Sequence, residues 1–406
     1  MKALQIEASV PRYLISKALG AIYKPVHWSP LSLIRIRDVP EPAPPGPDWA
    51  KVRTKYGGIC GSDMSAVLSR FNPSLSVFAS SQFTLGHENV ATLVEVGSGV
   101  AGFAPGDRVV ADPPLPCETR GIAEPCEFCR RGQYSVCQNF AEGDLSPGVA
   151  FGWCAETGGS WSPYFLTHRS QLFQVPEGVS DENALMAEPL GVALHAVLPH
   201  FPQDDHIVLV MGAGSFGLCI VAALRALGSR ARILVVAKYP FQGEMARSLG
   251  ANEIIRPGEN LIDELAEATG ARLYTPILGK RVMLGGVDLV FECVGSNQSI
   301  DDSLRVTRTG GAVVQLSFAH IPKGVDWTPI WYNQVRVTGS NTTGWDTWGG
   351  RRVRSIELAL ELMAEGKVDL TPLVTHRFAL EDYKKALALT AAKGKHHLIK
   401  SVFAFE

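Results

Sequence analysis

Apolar positions in the middle of the chain change from a continuous run to a helical spacing and back to a continuous run. Residues 207–211 (IVLVM) are all apolar, residues 218–227 place apolar side chains at helical spacing as far as Gly228, and residues 233–237 (ILVVA) are apolar again. Short continuous apolar runs are typical of buried strands, whereas the longer period indicates a helix. The pattern therefore predicts a strand, a helix and a second strand.

Three glycines separate the first predicted strand from the helix. Gly212, Gly214 and Gly217 form a G-x-G-x-x-G pattern. The first glycine permits a tight turn, the second lets the backbone approach a pyrophosphate, and the third lets the helix pack closely on the strand. The unpaired N–H groups at the helix start would then bind phosphate. The pattern alone is weak because glycine is common, but its place between a strand and a helix predicts a dinucleotide site.

Similar patterns predict the other elements of an α/β fold. Further strands are predicted at residues 50–56, 287–291, 312–316 and 398–403, and further helices at residues 351–364 and 380–392. The strands at 287–291 and 312–316 would extend a parallel sheet around the glycine turn. Residues 86–110 read as short β-rich runs, the proline cluster at 41–48 as a stiff surface connection, and residues 271–280 as an extra surface loop.

Length, composition and charge limit the class of protein. A chain of 406 residues exceeds the usual size of one hydrophobic core, so two domains are expected. The chain is 46% hydrophobic and 19% charged, and its net charge of −2 gives no electrostatic reason to expect nucleic acid or an anionic membrane as partner. Glu7, Pro11, Arg12 and Lys17 interrupt the apolar core that a signal peptide would need, so a cytoplasmic location is expected.

Possible metal ligands occur in two glycine-bounded turns of the first half. Cys60 lies within residues 57–63 (GGICGSD), and His87 and Glu88 follow Gly86. Thiolate, imidazole and carboxylate are the donors from which catalytic zinc sites are built, with one position kept open for water or substrate. The two turns thus predict a catalytic metal site. The alternative is that Cys60 and His87 are ordinary interior residues.

Four more cysteines lie in a loop rich in proline and glycine. They are Cys117, Cys126, Cys129 and Cys137. Such a loop cannot bury enough apolar surface to order itself, and four thiolates are the donor set of a closed structural zinc site. A disulfide framework is the competing interpretation, but a long chain without a secretory signal is expected in a reducing compartment.

Several motifs together resemble one family, the zinc-dependent medium-chain dehydrogenase/reductases. The motifs are GICGSD (58–63), GHENV (86–90), the four-cysteine loop, AEPLGVALHA (187–196), VMGAGSFG (210–217), FECVG (291–295) and TPLVTHRF (371–378). The resemblance covers nearly the whole chain. It is nearest to the polyol, threonine and glucose dehydrogenases, because Glu188 stands where the alcohol dehydrogenases of the family carry a third cysteine ligand.

The resemblance implies a fold with two domains. A Rossmann domain with a doubly wound parallel sheet would comprise residues 191–341. A GroES-like β-rich catalytic domain with two zinc sites would comprise residues 1–190 and 342–406. The resemblance also implies a homodimer or homotetramer.

The resemblance assigns the ligands of the catalytic zinc. Cys60 and His87 would hold the ion together with a carboxylate, either Glu88 or Glu188, and the sequence does not choose between the two glutamates. Asp63 would orient His87 through its second ring nitrogen.

Two positions depart from the family pattern. Ser62 would accept the proton of the alcohol, but Ser65 stands where many members have a histidine that passes the proton to solvent, so no relay beyond Ser62 is assigned.

Cys117 and Cys126 are separated by eight residues instead of two. Either the lobe accommodates an insertion or another residue, such as Glu124, is the first ligand of the structural zinc.

The turn after the second strand favours NADP over NAD. In this fold a carboxylate there binds the adenosine ribose and repels the extra phosphate of NADP. The position falls on Ala237, and no Asp or Glu occurs in residues 228–242. Lys238 is expected to pair with the phosphate and Tyr239 to stack on adenine; the alternative is that Lys238 faces solvent and NAD binds. The expected cofactor-binding residues are Gly212, Gly214, Ser215, Phe216, Gly217, Lys238, Tyr239 and Val294.

The implied reaction is hydride transfer between an alcohol, or its carbonyl product, and NAD(P), with zinc polarising the oxygen. Phe71, Phe78 and Phe83 lie where the family builds the mouth of its substrate cleft, which slightly favours an apolar or aromatic alcohol. A polyol, sugar or amino alcohol is the alternative. A non-catalytic zinc-containing binding protein and a zinc-independent enone reductase are more distant alternatives, which the intact zinc ligands and the cysteine loop disfavour.

Overall fold

A computed structural model describes residues 1–317 and 321–406. These residues divide into two compact units, namely Met1–Gly191 with Thr342–Trp345 and Gly350–Glu406, and Val192–Asn341 with Asp346–Gly349. The sequence prediction placed all of residues 342–406 in the first domain, so the position of Asp346–Gly349 corrects it. Within the second unit, Asp346 Oδ2 lies 2.9 Å from His195 Nδ1 and the ring of Trp348 packs on Phe201, which explains the assignment.

The first unit begins as a β-rich body. Its strands up to residue 191 are β1 (Lys2–Glu7), β2 (Ile34–Asp38), β3 (Trp49–Gly58), β4 (Gln82–Thr84), β5 (Asn89–Val96), β6 (Arg108–Ala111), β7 (Tyr164–His168) and β8 (Leu172–Gln174). Its helices there are α1 (Val10–Gly20), α2 (Gly61–Val67), α3 (Glu127–Arg130), α4 (Asp181–Leu185) and the start of α5 (Ala187–Val197).

The second unit alternates strands and helices. Its strands are β9 (Ile207–Met211), β10 (Arg232–Val236), β11 (Glu253–Ile255), β12 (Arg272–Tyr274), β13 (Val282–Leu284), β14 (Val287–Glu292), β15 (Thr307–Gln315) and β16 (Arg336–Gly339). Its helices after α5 are α6 (Ser215–Ala226), α7 (Pro240–Ser248), α8 (Leu261–Thr269), α9 (Asn297–Val306) and α10 (Thr328–Tyr332). A parallel sheet has the order β11-β10-β9-β14-β15-β16. This order confirms the predicted doubly wound Rossmann sheet.

Most of the remaining chain returns to the first unit. After β17 (Trp345–Trp348), which belongs to the second unit except for Trp345, the elements are β18 (Arg351–Arg354), α11 (Ser355–Ala364), β19 (Val374–Phe378), α12 (Tyr383–Ala391) and β20 (Lys400–Ala404). The main sheet of the unit has the order β19-β20-β3-β5-β6-β8, with β7 also paired to β3, and a smaller sheet has the order β2-β1-β4. The last strand of the chain therefore lies beside β3, immediately before the turn that carries Cys60.

Strand β3 of the main sheet alternates buried and exposed side chains along part of its length. Along β3, Val52 and Thr54 are buried whereas Arg53 is exposed, because successive side chains of a strand point to opposite faces. Val52 packs in one core cluster with Leu93 of β5 and Phe165 of β7. This β-rich packing agrees with the predicted GroES-like domain.

Two predicted elements differ from the structure. The helix predicted at residues 351–364 begins only at Ser355, because residues 351–354 form β18. The two residues before β18, Gly349 and Gly350, have positive φ angles of 57° and 78°, a backbone conformation that favours glycine. The extra loop predicted at residues 271–280 lies largely within the hairpin of β12 and β13, held by an ion pair of 2.6 Å between Lys280 Nζ and Asp301 Oδ2.

The sequence pattern does not predict helix α1. Apolar residues occur around much of its circumference, and Val10 and Leu14 are exposed by 72% and 58%. Its buried contact is polar, since Ser16 Oγ lies 2.9 Å from His27 Nδ1. Among the described residues, no helix is long and apolar enough to cross a membrane.

Candidate metal centres and cofactor turn

The turn between β3 and α2 fixes Cys60. The backbone N–H of Cys60 donates to Asp63 Oδ2 at 3.0 Å, which caps the first turn of α2. The backbone N–H of Ile59 donates to the carbonyl of Ser401 in β20. The thiol of Cys60 is thus held at the carboxyl end of β3, next to the last strand of the chain.

Asp63 also contacts His87, which precedes β5. Its Oδ1 lies 3.3 Å from His87 Nδ1, and Ser62 Oγ lies 3.4 Å from His87 Nε2. Burial opposes a positive charge on His87, but Asp63 and then Cys60 raise its pKa well above the usual value. Asp63 therefore occupies the Nδ1 side of the ring, the position of a carboxylate that orients a metal-binding histidine, and the other ring nitrogen, Nε2, lies near Ser62.

Glu88 forms a buried ion pair with Lys400. Both side chains are almost completely buried, at 0% and 2% exposure. Lys400 Nζ lies 2.6 Å from Glu88 Oε1 and 2.8 Å from Oε2, so it contacts both carboxylate oxygens. Both carboxylate oxygens of Glu88 therefore have a positively charged partner.

Glu188, at the start of α5, is buried without such a partner. Its side chain is only 4% exposed, and no residue in the described part of the chain hydrogen-bonds to Oε2. Burial raises the pKa of Glu188, while His87 lowers it and Glu88 raises it further. A buried carboxylate oxygen without a partner is costly unless a cation binds it. The donor set of Cys60, His87 and Glu188 therefore fits a divalent metal.

The four cysteines of the loop gather at α3. The sulfur atoms of Cys117, Cys126, Cys129 and Cys137 all lie within 4.8 Å of one another. Among the described residues this is the one group of three or more potential ligands spaced so closely, so Cys60, His87 and Glu188 are more loosely arranged.

The four thiols are not joined as disulfides. All eight cysteines are free, and the 3.6 Å between the sulfur atoms of Cys117 and Cys137 is far longer than a disulfide bond. Hydrogen bonding by Cys129 lowers the pKa of Cys137, which favours a thiolate there. Cys117 belongs to the group despite its wide spacing in sequence, whereas Glu124, the alternative first ligand, does not. Four clustered thiols fit a closed zinc site.

The glycine turn in the second unit has the predicted geometry. Gly212 has a φ angle of 105°, and a Cβ atom there would lie 2.5 Å from Val294 Cγ2. A Cβ on Gly217 would lie 1.8 Å from the carbonyl oxygen of Gly212. Gly214 directly precedes α6, whose first residues are Ser215 and Phe216. Only glycine fits these two close approaches, and the helix N-terminus is available for phosphate.

The turn after β10 carries a lysine above an aromatic ring. Ala237 is buried, Lys238 is exposed, and Lys238 Nζ lies 5.7 Å from the ring centroid of Tyr239. The ring of Tyr239 stacks on that of Phe241 at 5.7 Å. The structure thus keeps the cation of Lys238 accessible, while one face of Tyr239 already has an aromatic partner.

The phenylalanines of residues 71–83 contact other aromatic residues. Phe71 and Phe83 lie 5.2 Å and 5.4 Å from the ring of Trp153, and Phe78 lies 4.5 Å from Phe140. Phe83 is buried in the core of the first unit. Phe83 is therefore a core residue, whereas Phe71 and Phe78 pack on other rings and are only partly buried, so these contacts weaken the sequence argument for an apolar substrate.

Lys400 is a buried charged residue beside the candidate site that the sequence interpretation missed. It lies in the apolar run LIKSVF at residues 398–403, the predicted last strand. A lysine in a buried strand requires a carboxylate partner. That signal indicates a buried ion pair, but it does not identify Glu88 as the partner.

Comparisons with known proteins agree with this geometry. Residues 46–177 match the alcohol dehydrogenase GroES-like domain, and residues 216–357 match the zinc-binding dehydrogenase domain. L-idonate 5-dehydrogenase of Vitis vinifera is 32% identical over 360 residues, which cover 88% of this chain and 88% of that protein. Sorbitol dehydrogenase of Arabidopsis thaliana is 32% identical over 359 residues, which cover 88% of this chain and 89% of that protein.

A solved structure extends the likeness to three dimensions. It is a putative zinc-binding dehydrogenase from Sinorhizobium meliloti 1021 bound to NADP, with 26% sequence identity and a TM-score of 0.71. The similarity covers 92% of this chain and 96% of that one. Both units of the present chain therefore have counterparts in known dehydrogenases.

Proposed function

This chain belongs to the zinc-dependent medium-chain dehydrogenases, which are NAD(P)-dependent oxidoreductases, and from that premise we propose that it interconverts a polyol or sugar alcohol and its carbonyl product. Two relatives at 32% identity are named for idonate and sorbitol. Because the phenylalanines of residues 71–83 pack against other aromatic residues, the initial preference for an apolar alcohol is weakened.

The observation that carries the proposed site is the buried Glu188 oxygen without a hydrogen-bond donor. We propose that Cys60, His87 Nε2 and Glu188 hold the catalytic zinc. When bound, zinc polarises an alcohol or carbonyl oxygen and lowers the pKa of the alcohol. Ser62 Oγ, 3.4 Å from His87 Nε2, would accept the hydroxyl proton while giving up its own hydroxyl proton to water, and Asp63 keeps the imidazole oriented.

The choice of Glu188 over Glu88 follows from the ion pair with Lys400. If Glu88 moved to a metal, Lys400 would be left as a buried charge without its carboxylate, and breaking a buried pair costs about 3–5 kcal/mol. Glu188 has no such partner to lose. We therefore propose that Glu188 is the metal ligand and that Glu88 and Lys400 remain a buried ion pair beside it.

A substrate panel tests the proposed function. Initial rates with sorbitol and idonate are compared with those for benzyl alcohol and hexanol, using both cofactors and following nicotinamide absorbance. We expect kcat/KM to be at least roughly tenfold higher with a polyol, the scale on which pocket contacts discriminate substrates. The Cys60→Ala protein, prepared in the same way, controls for contaminating dehydrogenases. Faster turnover of the apolar alcohols would refute the polyol assignment.

We propose NADP as the preferred cofactor. The support is the buried Ala237 at the usual carboxylate position, the exposed ammonium of Lys238, and the NADP bound to the solved relative. Replacing Lys238 by Ala should lower kcat/KM for NADP by about tenfold, because a charge-assisted hydrogen bond contributes about 1.5–3 kcal/mol, and should leave NAD unaffected. Lys323→Ala removes another exposed lysine of the same unit as a control. A preference for NAD that Lys238→Ala leaves unchanged would contradict the assignment.

A further inference from the structure

Arg120 is buried in the segment between Cys117 and Cys126. Its side chain is 0% exposed and is one of the largest fully buried side chains of the chain. Such burial is rare for arginine without a carboxylate partner. Residues 118–125 separate these two cysteines and make their spacing unusual. Because Arg120 lies in this segment, any role that it has is expected to act on the structure of the four-cysteine loop.

The guanidinium of Arg120 hydrogen-bonds to backbone carbonyls. In the described part of the chain, its nitrogen atoms donate to the carbonyl oxygens of Leu115, Glu142, Leu145, Ser146 and Gly148. The bonds from Nε to Leu115 and from Nη1 to Leu145 measure 3.1 Å and 3.0 Å. The planar donor group thus joins the residues before Cys117 to the loop at 142–148.

The backbone of Arg120 adds two further bonds. Its N–H donates to the carbonyl of Cys117 at 3.2 Å, and its carbonyl accepts from the N–H of Asp144 at 3.0 Å. The N–H of Ile122 also donates to the Cys117 carbonyl, at 3.1 Å. Arg120 therefore connects the backbone of Cys117 directly to residue 144, in addition to its side-chain contacts.

We infer that Arg120 is a positioning residue for the metal at the four-cysteine site. Its side chain holds the segment of residues 118–125 against residues 142–148, which fixes Cys117 among the other three thiols. The inference rests on the proposed structural zinc. It predicts that the site loses its metal more readily when Arg120 is shortened, even though every cysteine remains.

Zinc release from the full-length protein tests this role. Wild type, Arg120→Met and Arg120→Lys are loaded with zinc, and the release of each ion to a colorimetric chelator is followed over time. We expect the ion at the four-cysteine site to leave at least tenfold faster from Arg120→Met. Arg120→Lys should also release it faster, because an ammonium group cannot reach both Leu115 and residues 142–148. This variant keeps the test valid if Arg120→Met does not fold.

Arg131→Met is the matched control in the same loop. Its side chain is 63% exposed and pairs with Glu127, so its release rate should equal that of wild type. Wild-type release rates in both Arg120 variants would overturn the inference. If Cys129→Ala protein binds as much zinc per chain as wild type, the proposed structural site fails as well. Two bound ions with unchanged release from the Arg120 variants would reject only the role of Arg120.

Discussion

The two candidate metal sites lie in the same unit but are built differently. The four-cysteine site uses one kind of donor, and its sulfur atoms lie within 4.8 Å of one another on an irregular loop. The Cys60 site combines three kinds of donor at wider spacing, next to buried charged residues on β20 and α2. The difference is the one expected between a closed structural zinc site and a catalytic site that keeps one position for a substrate oxygen.

The largest expected effect distinguishes catalysis from stability. Cys60→Ala should lower kcat/KM by roughly a thousandfold or more, because the metal supplies several kcal/mol of transition-state stabilisation, and should lower Tm less than Cys129→Ala does. Cys129→Ala should mainly lower Tm, because the loop depends on its metal for order. Initial rates, thermal unfolding and zinc content check both variants. Full activity in the Cys60→Ala protein would contradict a catalytic role for the Cys60 site. An unchanged Tm in the Cys129→Ala protein would contradict a stabilising role for the four-cysteine site.

The next effect concerns the ion pair beside the mixed site. Lys400→Met should lower the free energy of unfolding by about 3–5 kcal/mol, because it leaves Glu88 as an unpaired buried charge. Combining it with Glu88→Met should restore most of that loss, since an apolar pair can replace a buried ion pair. Urea unfolding measures both.

Lys367→Met is the control for removing a lysine charge from an exposed ion pair. The pair of Lys367 and Glu365 is more than half exposed, so its loss should change the unfolding free energy by less than about 1 kcal/mol. A Lys400→Met protein as stable as this control would show that the buried pair does not have the role assigned to it.

Smaller effects come from residues that hold the metal ligands in place. Asp63→Asn should weaken metal binding at the Cys60 site by about 10–100-fold, the usual effect of removing the partner of a ligand histidine, and spare the four-cysteine site. Asn139→Ala removes a side chain 3.4 Å from Cys117 Sγ and should affect only the four-cysteine site. Titration against a competing chelator measures both affinities. Equal weakening of both sites by either variant would mean that the sites are not independent.

Local sequence was sufficient where the contacts are local. The glycine turn at residues 212–217 and the turn of Cys60, Ser62 and Asp63 each lie within a few residues, so spacing alone indicates their chemistry. The parallel sheet followed from alternating apolar runs, and the comparisons support the family that the motifs suggested.

Long-range contacts could not be predicted in the same way. Lys400 and Glu88 are 312 residues apart in sequence. The sequence around either residue does not indicate that the other is its partner. The packing of Phe83 on Trp153 depends on a contact between distant segments, so the sequence favoured a substrate surface where the structure has core. For the same reason the choice between Glu88 and Glu188 required the positions of their partners.

Metal content of two glutamine variants tests the central claim most directly. Glu188→Gln and Glu88→Gln are purified alongside wild type, dialysed against a chelator of fixed strength, and analysed for zinc per chain. The account predicts that Glu188→Gln loses the ion of the Cys60 site and keeps the ion of the four cysteines, while Glu88→Gln keeps both. Loss of the ion from Glu88→Gln together with its retention in Glu188→Gln would contradict the account and make Glu88 the ligand.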